Sequence, residues 1–388
     1  MKFVKKSENT SPYIDNIFSV TSLAKKDPDG INATAGCLYD ETGKMLTYDC
    51  FEETEKELTM RQKAAYASSP AGNKEYLDAI TDFVLDKRVS NHYRAVATPG
   101  GTGALSMAFK LCLDAGDTIL YPEIAWGNYK VMADESGYKV LNYDVYDLED
   151  LFRKIDMVEG KVFLVVNSPC HNPLGHAYTY EQWQKILDKL NGLHKEAVLV
   201  CDIAYIDYAN GDPKKYFSLF NGISDDLLVL IAASCSKAFS CYGYRLGCLI
   251  AIHNDEEFLE RFANLASRYG RATWSNINNG GMLTVSKVLL EKRKDYDREL
   301  QEAKTLLKER RDLFVKQAQE CDLPLYDLSD GFFATVKVPD NTERDQIHQR
   351  LMEDHIYTIK VNKGIRIALC SVPLKKFDGL AKKLKEKL

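Results

Sequence analysis

Seven apolar or β-branched runs punctuate the first two thirds of the chain: "RAVAT" at 94–98, "DTILY" at 117–121, "KVLNY" at 139–143, "KVFLVVN" at 161–167, "AVLVCD" at 197–202, "LLVLIAAS" at 227–234 and "LGCLIAI" at 246–252. Runs this short without regular polar alternation suit strands buried on both faces. Between most of them lie helical patterns, at 102–114, 125–136 and 180–193 among others. Strands alternating with helices predict an α/β protein on a largely parallel sheet covered on both sides. The last two runs are joined by only about a dozen residues with no clear helix, which predicts one antiparallel strand.

From about residue 285 the pattern changes. "SKVLLEKRKDYDRELQEAKTLLKERRDLFVKQAQE" predicts one long, charge-laced helical stretch, broken once. "GFFATVKV", a helix near 343–354 and "GIRIALCSV" then read as a smaller α+β unit. The first 34 residues hold no strand of the main sheet and are expected to pack on that unit. The expected division is a large domain over 35–300 and a small domain formed by 1–34 plus 301–388.

Composition narrows the class without changing this picture. A chain of 388 residues with 45% hydrophobic and 28% charged residues is long enough for an ample core and ordinary for a soluble globular protein. A net charge of −5 gives no reason to expect nucleic acid or an anionic membrane as partner. No apolar run approaches the roughly 18 residues of a membrane span. The opening "MKFVKKSENTSPYIDNIF" lacks the apolar core and cleavage site of a secretory signal. Ten cysteines occur without a Cys-x-x-Cys, several inside apolar runs (Cys201, Cys248, Cys370). That usage suits a reducing cytoplasm and speaks against a disulfide framework or zinc site. Cys170-His171 has no second cluster to complete a metal site.

Candidate chemistry lies where the runs end, because ligands of open parallel sheets bind beyond the carboxyl ends of the strands. In order, the ends are followed by Thr98-Pro-Gly-Gly-Thr-Gly103, by Pro122 and Trp126, by Asn167 to Gly175, by Asp202-Ile-Ala-Tyr205, and by Ser234-Cys-Ser-Lys237 with Arg245 eight residues on. Alone, Lys237 reads as a solvent-facing lysine and the glycines as a tight turn. Together they place an amine, a carboxylate, aromatic rings and a phosphate-type turn on one sheet edge.

"PGGTGALSMAF" opens a helix directly after a strand, and the free amides of a helix start bind anions. A dinucleotide fingerprint is the rival reading, but Ser106 stands where its third glycine belongs. Pyridoxal phosphate accounts for the whole set. Its aldehyde needs a lysine, Lys237, for a Schiff base. Its ring nitrogen needs a carboxylate, Asp202, to stay protonated. Its phosphate suits the helix amides, the two serines and a bidentate cation, Arg245. Asn172 and Tyr205 can donate to its ring oxygen, and Trp126 can cover the ring.

These residues resemble the fold-type I pyridoxal-phosphate enzymes, in particular the class I/II aminotransferases around aspartate aminotransferase. "INATAGCLYDETGK", "GGTGAL", "HNPLG", "DIAY", "SCSKAFSCYGYRLG" and "GIRIALC" match family motifs in order, and the spacings of 35 residues from Asp202 to Lys237 and 8 from Lys237 to Arg245 agree. The resemblance implies a mostly parallel sheet with one antiparallel strand, and an amino group moved from an L-amino acid, aspartate first, to 2-oxoglutarate by a ping-pong mechanism. It implies Lys237 as both cofactor-binding lysine and proton shuttle. Gly101, Thr102, Ser234, Ser236 and Arg245 are then phosphate ligands, and Asp202 the partner of the ring nitrogen. Asn172 and Tyr205 act on the ring oxygen, Arg366 with Asn172 on the substrate α-carboxylate, and Gly36 at a substrate-facing backbone position. Tyr66 and Arg271, the latter in "RATWSN", match positions that reach a neighbouring subunit's site, which implies a homodimer with shared active sites.

The departures are specific. Tyr129 and Asn167 replace two histidines that support the ring carboxylate in the nearest relatives, Gly100 stands where a serine is common, and "GIR" replaces the usual approach to Arg366. Arg271 favours a dicarboxylate substrate, yet aromatic aminotransferases of the family can keep such an arginine, so tyrosine or phenylalanine stays open. A lyase or decarboxylase with the same cofactor also stays open. Ser234-x-x-Lys237 matches a serine β-lactamase motif, but the accompanying Ser-Asp-Asn and Lys-Thr-Gly are missing. A regulator on the same fold would carry a DNA-binding module, for which the chain offers no basic stretch.

Overall fold

A computed structural model describes residues 15–388; the expectation for 1–14 lies outside the described residues. All seven apolar runs are strands of one sheet: β1 (His92–Thr98), β2 (Thr118–Pro122), β3 (Lys139–Tyr143), β4 (Val162–Asn167), β5 (Ala197–Asp202), β6 (Leu227–Ser234) and β7 (Gly247–His253). Their order is β1-β7-β6-β5-β4-β2-β3. Only β7 is antiparallel to its neighbours, so the short link after β6 does return the chain in the opposite direction.

Every residue of β4, β5 and β7 is buried, which explains the absence of polar alternation in those runs. The two faces feed different cores. Val162, Leu164 and Val166 enter one hydrophobic cluster, while Phe163 and Val165 enter the other. Each such side chain contributes about 1.5–3 kcal/mol when fully buried. Helices α1 (Gly100–Cys112), α2 (Asn128–Ser136) and α3 (Tyr180–Asn191) cover the sheet where the helical patterns fall.

Helices α4 (Glu256–Thr273), α5 (Asn279–Glu291) and α6 (Arg293–Glu320) follow, the last two separated at Lys292. The charge-laced stretch is thus broken once. Beyond it, α7 (Asn341–Glu353) accompanies a three-stranded antiparallel sheet of β8 (Phe333–Lys337), β9 (Ile359–Val361) and β10 (Gly364–Ala368), ordered β9-β10-β8. Near the start of the chain, Ile31–Asn32 pairs in parallel with Ile356–Tyr357. A third hydrophobic cluster joins Ile31 and Ala33 to residues from Phe314 to Leu384. Helix α6 serves two clusters, with Tyr296, Ala303 and Leu307 in the first and Phe314 and Ala318 in the third.

Register sets the site. Asn167 at the end of β4 pairs with Asp202 at the end of β5, and Ser234 and Thr98 both pair with Gly247. The carboxyl ends of four strands therefore open on one edge.

Candidate active site

A cleft partly open to solvent lies at that edge. Gly101, Thr102, Trp126, Asn172, Asp202, Tyr205, Ser234, Ser236, Lys237 and Arg245 all line it, together with Leu105, Asn167 and Ala204.

Lys237 rides on a single helical turn, Cys235–Ala238, whose start is capped by Ser234: its Oγ accepts from the Ser236 amide at 3.3 Å. The Lys237 Nζ lies 5.1 Å from the Tyr205 ring centroid. Burial pulls the lysine's pKa down, with Cys37 and Asp202 opposing and Arg245 assisting. Arg245 has φ 55°, and its Nη1 donates to Ser236 Oγ at 3.1 Å and to the Tyr242 carbonyl at 2.9 Å. Its Nη2 lies over the glycine turn, 3.4 Å from the Pro99 carbonyl oxygen. Gly100 makes this approach possible. Its φ is 74°, and a Cβ there would stand 2.5 Å from Arg245 Nη2. Among the described residues no side chain caps the start of α1, which leaves the amides of its first turn open to an anion.

Asp202 is buried, accepting from the Tyr129 hydroxyl at 2.5 Å and the Ala204 amide at 3.1 Å. Burial lifts its pKa, while Tyr129, Ala204 and Lys237 pull it back toward the charged form. Asn167 ties two strand ends together: its Nδ2 donates to the Asp202 carbonyl at 2.9 Å, and its Oδ1 accepts from the Asn172 amide at 2.7 Å.

Arg366, on β10, is 3% exposed. Its Nη1 donates to Asn172 Oδ1 at 3.1 Å and its Nη2 to the Thr34 carbonyl at 2.6 Å, while its Nε has no partner among the described residues. The "GIR" spelling therefore still brings the guanidinium to Asn172. The Phe333 ring lies 4.3 Å from its guanidinium carbon. Gly36 is close by: a Cβ there would lie 3.0 Å from the Phe333 ring and 3.5 Å from the Tyr205 hydroxyl.

Four named residues do not line this chain's cleft: Gly36 and Arg366 stand beside it, and Tyr66 and Arg271 are at the surface. Tyr66 is 84% exposed, and Arg271, at the end of α4, is exposed and donates to Ser275 Oγ. Three groups at the site were not singled out in the sequence. Phe333 and Thr34 hold Arg366, and Cys37 feels the charge of Lys237. "GFFATVKV" reads as a strand, and nothing in its periodicity marks one phenylalanine as a guanidinium platform.

The family model described as "Aminotransferase class I and II" matches residues 28–384. The chain belongs to the class I and II aminotransferases. This aminotransferase is 24% identical over 300 residues to a tyrosine aminotransferase of Rhizobium meliloti, covering 74% of this chain and 77% of that one. It is 26% identical over 330 residues to an aspartate aminotransferase of Escherichia coli, covering 80% and 82%. The solved structure of an aminotransferase from Anaerococcus prevotii superimposes with a TM-score of 0.93 at 26% identity, covering 100% of this chain and 99% of that chain.

Class I and II aminotransferases are pyridoxal-phosphate-dependent and act on amino acids and 2-oxo acids. The cleft fits that cofactor on its own terms. It offers one amine, one buried carboxylate and an uncapped helix start beside two serines and a guanidinium. Among the described residues no group of acidic, histidine and cysteine side chains could hold a metal ion, and no helix is long and apolar enough to cross a membrane.

Proposed function

We propose that this aminotransferase moves the amino group of aspartate to 2-oxoglutarate in two half-reactions, as a cytoplasmic homodimer with shared active sites. The observation that carries the reading is Arg366. It is a buried guanidinium beside the lysine-bearing cleft, and among the described residues its hydrogen bonds run to two neutral oxygens while Nε has no partner. The charge of Asp15 offsets part of the cost of burying it, and a carboxylate set against the guanidinium would offset more. An amino-acid substrate brings one.

In this reading Gly101, Thr102, Ser234, Ser236 and Arg245 hold the cofactor phosphate, and Trp126 covers the ring. Asp202 would hold the ring nitrogen, and Asn172 and Tyr205 would donate to the ring oxygen. When bound, pyridoxal phosphate supplies an electron-withdrawing ring that makes the substrate α-proton acidic. Arg366 and Asn172 orient the α-carboxylate, and the bare backbone at Gly36 leaves room beside it. Lys237, pushed toward its neutral form by burial, would be the amine that takes the α-proton.

Arg271 and Tyr66 act on the partner's site. Among the described residues Arg271 has no acidic partner, and its one hydrogen bond runs to a serine, so a planar fork is available to a second carboxylate. A hydrogen bond to a charged group contributes about 1.5–3 kcal/mol, roughly ten- to a hundredfold in specificity. The test is kcat/KM for aspartate, tyrosine, phenylalanine and alanine with 2-oxoglutarate, in the parent and in Arg271→Ala. The variant is expected to lose aspartate by that factor and phenylalanine far less. Equal losses remove the support for aspartate, and a parent enzyme that prefers tyrosine makes the aromatic assignment correct. Release of CO2 or ammonia without amino exchange makes it a lyase or decarboxylase.

A further inference from the structure

Tyr129 does not line the cleft, yet it is fully buried and its hydroxyl donates to Asp202 Oδ2 at 2.5 Å. Its ring is wedged edge-on against Trp126 at 5.6 Å and tilted against Tyr121 at 5.8 Å. The hydroxyl therefore has a fixed direction. A carboxylate as buried as Asp202 is charged only if donors replace the water it has lost. Among the described residues Asp202 has two, the Tyr129 hydroxyl and the Ala204 amide. The other titratable groups facing this pair are Lys237, Tyr205, Tyr143 and the Cys201 thiol. Of the two donors only Tyr129 is a side chain, so only it can be deleted without altering the backbone.

We propose that Tyr129 is a positioning residue that keeps Asp202 ionised and aimed into the cleft, through a donor that stays uncharged across the neutral pH range. A histidine in that place would titrate near neutrality and pass its own pH dependence to Asp202. A buried phenol does not: burial and the neighbouring Asp202 raise the Tyr129 pKa well above its ordinary value. The hydrogen bond it gives Asp202 thereby brings no titration of its own over the neutral range. The consequence for the cofactor rests on Asp202 being the partner of its ring nitrogen; the consequence for Asp202 itself does not.

The test therefore has an arm without cofactor. Melting temperatures of the apoprotein are measured between pH 4.5 and 8.5 for the parent, Tyr129→Phe, Asp202→Asn and the double variant. The deficit of Tyr129→Phe is expected to grow as pH rises, because the missing donor is felt only when Asp202 is ionised. On the Asp202→Asn background, Tyr129→Phe should show no such pH dependence. A deficit that is the same at every pH and survives on that background overturns the proposal, since it reports lost packing alone. Tyr129→His should restore stability at neutral pH and bring a new titration between about pH 5 and 8.

In the loaded enzyme, Tyr129→Phe should shift the pH midpoint of the visible absorbance band upward. It should also lower kcat roughly ten- to a hundredfold, the worth of a hydrogen bond to a charged group, with little change in KM. If the apoprotein behaves as expected while band and cofactor affinity stay unmoved, Tyr129 does support Asp202, and it is the placement of Asp202 at the ring nitrogen that fails.

Discussion

At the scale of single residues, Lys237 is held between opposing pulls. Burial favours its neutral form, and the neighbouring carboxylate and thiol favour the charged one. Burial thus raises the share of neutral amine, the form that attacks an aldehyde. Borohydride treatment of the loaded enzyme should fix the cofactor on Lys237, read by peptide mass, and label on another lysine overturns the assignment. Lys237→Ala should lose transamination by at least the 10²- to 10⁴-fold typical of a positioned general base. Gly100 is a quieter determinant. Alanine there would bear a left-handed backbone, worth about 1–2 kcal/mol, and would displace Arg245 from its place over the turn. Gly100→Ala should weaken cofactor binding by about tenfold, read by titrating apoenzyme with pyridoxal phosphate. Unchanged affinity would mean that Arg245 does not need that seat.

At the scale of elements, the loop after β4 couples the site to acid. His171 and His176 flank Asn172 and are placed so that burial presses their pKa values down to about 3 and about 4. Both are neutral in the folded loop, whereas the unfolded chain protonates them below about pH 6.5. Their folded pKa values are depressed, so the stability they allow is full above about pH 6.5 and falls as pH drops from there toward 4. Each accounts for about 1.4 kcal/mol per pH unit at the steepest. His171→Asn should therefore show a shallower acid loss of melting temperature than the parent between pH 6.5 and 4. Equal slopes in parent and variant would remove histidine protonation from the account. The strands that carry this loop were legible in the sequence because residues buried on both faces leave uninterrupted apolar runs, as in Val162–Asn167. The phosphate turn, Lys237 and Arg245 were legible because they follow such runs at short range. The pairing of Ile31 with Ile356 was not, since two residues per strand and a separation of over three hundred leave no periodicity to read. The contact of Phe333 with Arg366 was hidden for the same reason: it is made by folding and not by local pattern.

At the scale of the whole molecule, α6 acts as a shared beam. Arg310, fully buried on it, holds Glu41 through Nε at 3.1 Å and Nη2 at 2.6 Å, and the Cys370 carbonyl through Nη1 at 2.8 Å. It thus ties the loop after Gly36 to the end of the strand bearing Arg366. We propose that the small domain is 1–34 plus 301–388 and the large one 35–300, a boundary that falls inside α6. The same scale decides the quaternary state. Tyr66 and Arg271 are exposed and away from this chain's own cleft, an arrangement suited to residues that complete a partner's site. Mixing Lys237→Ala with Arg271→Ala distinguishes the two architectures. If Arg271 acts across the interface, a hybrid dimer holds one intact site, with Lys237 from one chain and Arg271 from the other, and one doubly damaged site. Random exchange at equal concentrations makes half of the dimers hybrids, so about one quarter of parental aspartate activity should return. If Arg271 acts within its own chain, every site lacks one residue or the other, and the mixture cannot exceed the average of the two parents. Mass measurement of the exchanged dimers secures the comparison: hybrids present with no recovered activity would rule out a shared site.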